Sequence, residues 1–278
     1  MKFYALRQNI LSLLVAFIML SILSTKAMAA APEISADAAI LLDVNTGETL
    51  YEKNADKREY PASLTKIMTA ILAIENGRMD RIVEISSNAA DVESTRLRGG
   101  ERIRLLDLIN QMMLISDNGC ATAVGESLTG GDVDYFAQLM NRRAAEMGTT
   151  GTHFVNANGM PDSNHYTTAR DMGIIARYAL GNEDFRKIIG TAAKNIYYIE
   201  PQGRVEYCEN TNRLLTTYAG CIGGKTGWTN AARGCLMVAA SRNGRELLAI
   251  VLHSYDDETR FSESAALLDY GFSLSDVK

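Results

Sequence analysis

The sequence predicts a mixed α/β protein of the α+β kind. An antiparallel sheet is assembled from both chain ends, flanked by helices, with a helical subdomain inserted at roughly residues 86–190. Three observations predict it. Strand patterns with turn residues occupy residues 38–52 and return beyond Asn195. Helical spacing dominates between them, and a last helical run closes the chain.

Each element has its own justification. Ala38 to Glu52 reads as strand, turn at Asn45-Thr46-Gly47, and strand. After Pro61, the residues Leu64, Ile67, Met68, Ile71 and Leu72 recur at spacings of three and four, which gives one apolar helical face. Leu105 to Leu128 and Tyr135 to Met147 are helical by composition, and Gly148 suits a helix stop. Thr168 to Leu180 is a further helix, with a threonine cap and Asp171 in its first turn. Ile196 to Ile199 and Val205 to Tyr207 are rich in β-formers. Cys235 to Ala240 and Glu246 to Leu252 read as buried strands joined by an Asn243-Gly244 turn. Thr259 to Tyr270 is the closing helix.

Residues 1–29 stand apart from this pattern. Lys2 and Arg7 precede an apolar run from Ile10 to Leu23, and Ala27-Met28-Ala29 is a small-x-small cleavage pattern. That is the layout of a secretory signal peptide, and the run is shorter than the ~20 residues a membrane-spanning helix needs. The chain is therefore expected to be exported, to the periplasm or the extracellular cell-wall space. Residues 30–278 are expected to form one catalytic domain.

Composition excludes several classes. Of 278 residues, 47% are hydrophobic and 22% charged, which is ordinary for a globular protein. The net charge is −5 and no basic block appears, which argues against nucleic acid as a partner. Four cysteines are too few for a disulfide scaffold. Cys120 and Cys235 read as buried thiols, whereas Cys208 and Cys221 could pair in an exported protein.

Three short motifs carry chemistry. In Ser63-Leu64-Thr65-Lys66, residues three apart share a helical face, so the Lys66 amine can reach the Ser63 hydroxyl. A serine needs a base to become a nucleophile, and a lysine serves if burial lowers its pKa. The same four residues could equally be a capping serine followed by a surface lysine. Ser116-Asp117-Asn118 interrupts an apolar helical run. Ser116 could pass a proton to a leaving group, and Asn118 could bond a substrate amide or Lys66. An ordinary polar break between helices explains it as well. In Gly223-Gly224-Lys225-Thr226-Gly227, Lys225 and Thr226 offer a cation and a hydroxyl for a carboxylate, and Gly227 lets a ligand approach the backbone. A phosphate-binding loop would need glycine at position 219, which is alanine.

Their order, Ser63, then Ser116 and Asn118, then Lys225-Thr226-Gly227, is that of the penicillin-recognising serine enzymes. The chain resembles the low-molecular-mass penicillin-binding proteins, the serine D-alanyl-D-alanine carboxypeptidases of peptidase family S11. The resemblance also shows at Leu42-Asp43-Val44-Asn45-Thr46-Gly47, Thr152-His153-Phe154 with Asn158-Gly159, Thr168-Ala169-Arg170-Asp171-Met172 and Asn212-Arg213-Leu214-Leu215. It covers nearly all of residues 30–278.

The resemblance implies a β-lactamase/transpeptidase-like fold and action on peptidoglycan stem peptides ending in D-Ala-D-Ala. It implies that Ser63 attacks the penultimate D-Ala carbonyl with Lys66 as base, and that Ser116 helps protonate the leaving D-Ala. Backbone N–H groups of Ser63 and Trp228 would form the oxyanion hole. Lys225 and Thr226 would hold the terminal carboxylate. β-Lactams would acylate Ser63 as covalent inhibitors, and no metal or organic cofactor is implied. Neither the second β-rich domain nor the C-terminal membrane-binding helix of many relatives is expected in this chain.

Related enzymes of the same fold include DD-endopeptidases and transpeptidases, which remain alternatives. A class A β-lactamase shares the motifs but needs a glutamate to activate the deacylating water, and residues 149–170 contain none. A non-catalytic β-lactam or peptidoglycan binder is the alternative from outside enzymology. A Ser-His-Asp triad would need His153, His165 or His253 beside the nucleophile, and His165 is expected in a loop that packs near the following helix. Arg213 is expected to brace the connection into the Lys225 segment.

Overall fold

The computed structural model describes residues 30–275, so the expected signal peptide lies outside the described residues. The main sheet has five strands in the order β2-β1-β9-β8-β7, and every neighbouring pair is antiparallel. Strands β1 (Ala38–Asp43) and β2 (Thr49–Lys53) come from one end of the chain. Strands β7 (Cys221–Thr229), β8 (Arg233–Arg242) and β9 (Arg245–Ser254) come from the other. The pairing of β1 with β9 thus joins the two chain ends in one sheet. Asn243 and Gly244 join β8 to β9 with φ of 53° and 79°. Two consecutive positive φ values are what a tight two-residue hairpin needs.

Alternation along the strands makes two cores. Leu41, Val238 and Ala249 face Leu267, Leu268 and Phe272 of the closing helix, Thr259–Ser275. Ile40, Met237 and Ile250 face the helical layer on the other side, with Ile67, Ile71, Met172 and Ile175. Burying such residues contributes ~1.5–3 kcal/mol each relative to exposure.

The helix after Pro61 departs from the expected one-faced pattern. Helix α1 (Thr65–Asn76) is buried at every position from Thr65 to Ala73. It lies inside the molecule and contacts helices on several sides, so its polar residues Thr65, Lys66 and Thr69 are buried as well. Buried polar groups require partners, and these three have them.

The β-rich residues between 193 and 209 do not join the main sheet. β5 (Ala193–Tyr197) and β6 (Val205–Glu209) form their own two-stranded hairpin. Another small pair, β3 (Ile82–Glu84) with β4 (Arg102–Arg104), has too short a pattern to be legible in sequence. The apolar run from Leu105 is two helices, Leu105–Leu114 and Asn118–Thr129, broken at Ser116. Thr168 caps helix Ala169–Leu180 as expected, accepting a bond from Asp171 N. None of the described helices is long and apolar enough to cross a membrane.

Candidate active site

The three motifs meet at the edge strand β7. Ser63 sits in a 3-10 turn, Ala62–Leu64, that packs on β7 and leads into helix α1. Ser116 occupies the break between the two helices, and Lys225 to Trp228 lie on β7. A cleft of about 740 Å3 opens among them, lined by Ser63, Ser116, Asn118, Thr226, Gly227 and Trp228. A larger cavity of about 860 Å3, lined by Ile40, Leu42 and Arg177, holds none of these residues.

Each turn is built for its task. Ala62 has φ 47° and Ser116 has φ 62°, so two non-glycine residues are held in the left-handed region beside the reacting groups. Such conformations persist where surrounding structure over-determines them. Asp117 supplies that for Ser116. Its carboxylate caps the following helix at Cys120 N (2.9 Å) and accepts from Thr95 Oγ1 (2.8 Å), Arg96 N (2.8 Å) and Gln111 Nε2 (3.2 Å). Gly159 serves Ser63. It has φ 91°, and a Cβ there would collide with Ala62 O and lie 3.0 Å from Ser63 N.

Lys66 is fully buried and makes three hydrogen bonds: to Ser63 Oγ (2.7 Å), Asn118 Oδ1 (2.7 Å) and Asn158 O (2.8 Å). All three partners are neutral. Burial therefore drives its pKa down to about 7, against an opposing pull from the Asp117 carboxylate. The amide oxygen and the carbonyl can only accept. They claim two of the amine's hydrogens, and the Asn118 amide is held in this orientation because its Nδ2 donates to Glu93 O (3.0 Å). In the neutral amine the lone pair is left for the Ser63 hydroxyl. This geometry can remove a proton from Ser63 without further rearrangement.

Lys225 turns inward. Its ammonium donates to Ser116 Oγ (3.0 Å) and to Thr226 O (2.7 Å), and burial pushes its pKa well down. Lys225 thus holds Ser116, which lines the cleft, rather than lining it itself. Thr226 faces the cleft directly, with its hydroxyl 2.5 Å from that of Thr211. Arg260, from the closing helix, donates to Gly227 O (2.7 Å) and so fixes the peptide plane whose N–H belongs to Trp228.

Several sequence expectations change here. His165, in a loop as expected, is buried against the start of α1. Its Nε2 pairs with Thr65 Oγ1 at 2.8 Å and its Nδ1 accepts from Val155 N. Burial lowers its pKa to about 4, so it braces the start of α1 as a neutral ring. All four cysteines are free. Cys208 belongs to the core on the helical side and Cys221 packs against the core on the opposite side, which explains why they do not pair. Arg213 lies over the Phe261 ring (4.6 Å) and pairs with Glu258 at the cleft rim. Asn158 is the site residue whose role the motifs did not disclose. Its contribution is a backbone carbonyl, and only the Asn158-Gly159 pair in the sequence points toward it.

Comparison with known proteins identifies the family. Residues 25–256 match the family model of the D-alanyl-D-alanine carboxypeptidases, peptidase S11. The D-alanyl-D-alanine carboxypeptidase DacF of Bacillus subtilis (strain 168) is 33% identical over 245 residues, which are 86% of this chain and 62% of the relative. The D-alanyl-D-alanine carboxypeptidase of Streptomyces sp. (strain K15) is 33% identical, covering 87% of this chain and 89% of the relative. The crystal structure of the Streptomyces K15 DD-transpeptidase superposes with a TM-score of 0.84 at 32% identity, over 88% of this chain and 100% of that one. The fold is therefore the α/β fold of the DD-transpeptidases, and the chain belongs to peptidase family S11.

Proposed function

We propose that this chain is a serine DD-carboxypeptidase that removes the terminal D-alanine from peptidoglycan stem peptides ending in D-Ala-D-Ala. One observation carries the reading: a fully buried lysine amine, with neutral partners only, 2.7 Å from a cleft-lining serine hydroxyl. Family membership supplies the substrate class.

The geometry supports the following course for the reaction. Neutral Lys66 takes the Ser63 proton as Oγ attacks the penultimate D-Ala carbonyl. The N–H groups of Ser63 and Trp228 stabilise the oxyanion. Thr226 binds the terminal carboxylate, and the neighbouring Lys225 holds Ser116. Ser116, whose hydroxyl is held by Lys225, passes on to the leaving amine the proton that Lys66 took from Ser63, which returns Lys66 to its neutral form. Asn118 orients Lys66. Water then attacks the ester, with Lys66 again as base, and frees Ser63. A β-lactam enters the same way and stays as an ester on Ser63. We further propose that residues 1–29 direct export, and that residues 30–278 are a single catalytic domain.

The test is release of D-alanine from a diacylated L-Lys-D-Ala-D-Ala tripeptide. Stoichiometric D-alanine from the wild type and none from Ser63→Ala is the expected result. Equal release by both would remove Ser63 from the mechanism, and no release by either would remove the activity.

A further inference from the structure

Trp228 is the only tryptophan of the chain, and 43% of its surface is exposed. Residues two apart on a strand share a face, so its indole lies on the same face of β7 as the Thr226 side chain. Both line the cleft. Phe261 and Arg213 line it too, with the guanidinium 4.6 Å above the Phe261 ring and its charge held by Glu258. An aromatic plate and a stacked cation–ring pair thus border the part of the cleft next to Thr226. Between Thr226 and Trp228, Gly227 brings the strand against the nucleophile: a Cβ there would lie 3.1 Å from Ser63 N.

We propose that the Trp228 indole, with the Phe261–Arg213 pair, forms an apolar subsite for the side chain of the leaving residue, and that this subsite takes C-terminal D-amino acids with apolar side chains larger than methyl. The inference rests on the acyl-transfer reading of the site and deepens it. In that reading the leaving residue carries the carboxylate that Thr226 binds. Its side chain is attached to the neighbouring carbon, which sets it beside the residue sharing the Thr226 face. In the step itself the amide C–N bond breaks, an ester forms to Ser63 Oγ, and the Ser63 proton ends on the departing amine. A large apolar leaving side chain adds contact with the indole in that step, and aromatic contacts of this kind are strong enough to change a specificity ratio by about tenfold.

The experiment is competition in one vessel between two otherwise identical diacylated tripeptides, one ending in D-Ala and one in D-Phe. The ratio of their kcat/KM values is read from the released amino acids. Because both donors meet the same enzyme, the ratio is unaffected by how much active protein is present. The wild type is expected to cleave the D-Phe peptide. Trp228→Ala is expected to lower the D-Phe to D-Ala ratio about tenfold, and Trp228→Phe to keep it within about threefold of the wild type. A wild type that releases D-Ala but no D-Phe, or a ratio that Trp228→Ala leaves unchanged, would overturn the subsite while leaving the carboxypeptidase intact. Release of neither amino acid, with no penicillin adduct on Ser63, would overturn both readings.

Discussion

Replacing Lys66 with arginine is expected to slow acylation by penicillin by a factor of ~10²–10⁴, the range by which a general base accelerates its step. Arginine keeps the positive charge and stays protonated, so it cannot accept the Ser63 proton. The wild-type rate should also carry the titration of this amine. Burial sets the Lys66 pKa at about 7, below its ordinary value of 10.5. The reactive form is the neutral one, so the second-order acylation rate should rise with pH through about 7 and level off above it. Below that, the rate should fall about tenfold per pH unit. Lys66→Arg should lack this limb. Stopped-flow measurement with a chromogenic β-lactam from pH 5 to 9 checks both points. Near-normal acylation by Lys66→Arg would contradict Lys66 as base.

The second large effect concerns Gly159→Ala. Its φ of 91° disfavours any side chain, and the new Cβ would be driven into Ala62 O. The obstacle is backbone and cannot rotate away. The turn that carries Ser63 must move, or the Asn158–Gly159 segment must retreat and withdraw its carbonyl from Lys66. Strain and lost bonds together are expected to cost about 3 kcal/mol or more. The thermal midpoint should fall by about 6–12 °C for a domain of this size. Displacing Ser63 by even ~1 Å should slow acylation ~10²-fold. Calorimetry and the chromogenic assay read the two effects separately. A midpoint within 2 °C of the wild type would contradict the close approach.

These predictions mix groups that were legible in the sequence with groups that were not. Ser63 and Lys66 could be paired because three residues make a helical turn, and the structure places them 2.7 Å apart. For Asn118 the sequence offered two partners, a substrate amide or Lys66, and the structure places it on Lys66, 52 residues away. The sheet drawn from both chain ends and the Asn243-Gly244 turn were legible from alternation and turn residues. The full burial of α1 was not. Periodicity records the strongest apolar face, whereas the packing of a helical layer and a sheet around one helix is set by the whole chain. The third partner of Lys66 was hidden because every residue has a carbonyl, so side-chain patterns do not mark it. His165 meets Thr65 across 100 residues, a contact no local spacing encodes. The inward turn of Lys225 was hidden too, since strand position alone does not say how a long side chain is bent.

Intact mass after incubation with benzylpenicillin tests the central claim most directly. The wild type is predicted to gain the mass of one penicillin, with peptide mapping placing it on Ser63, and Ser63→Ala is predicted to gain none. An unmodified wild type, or an adduct that survives in Ser63→Ala, would contradict an acyl-enzyme formed on Ser63.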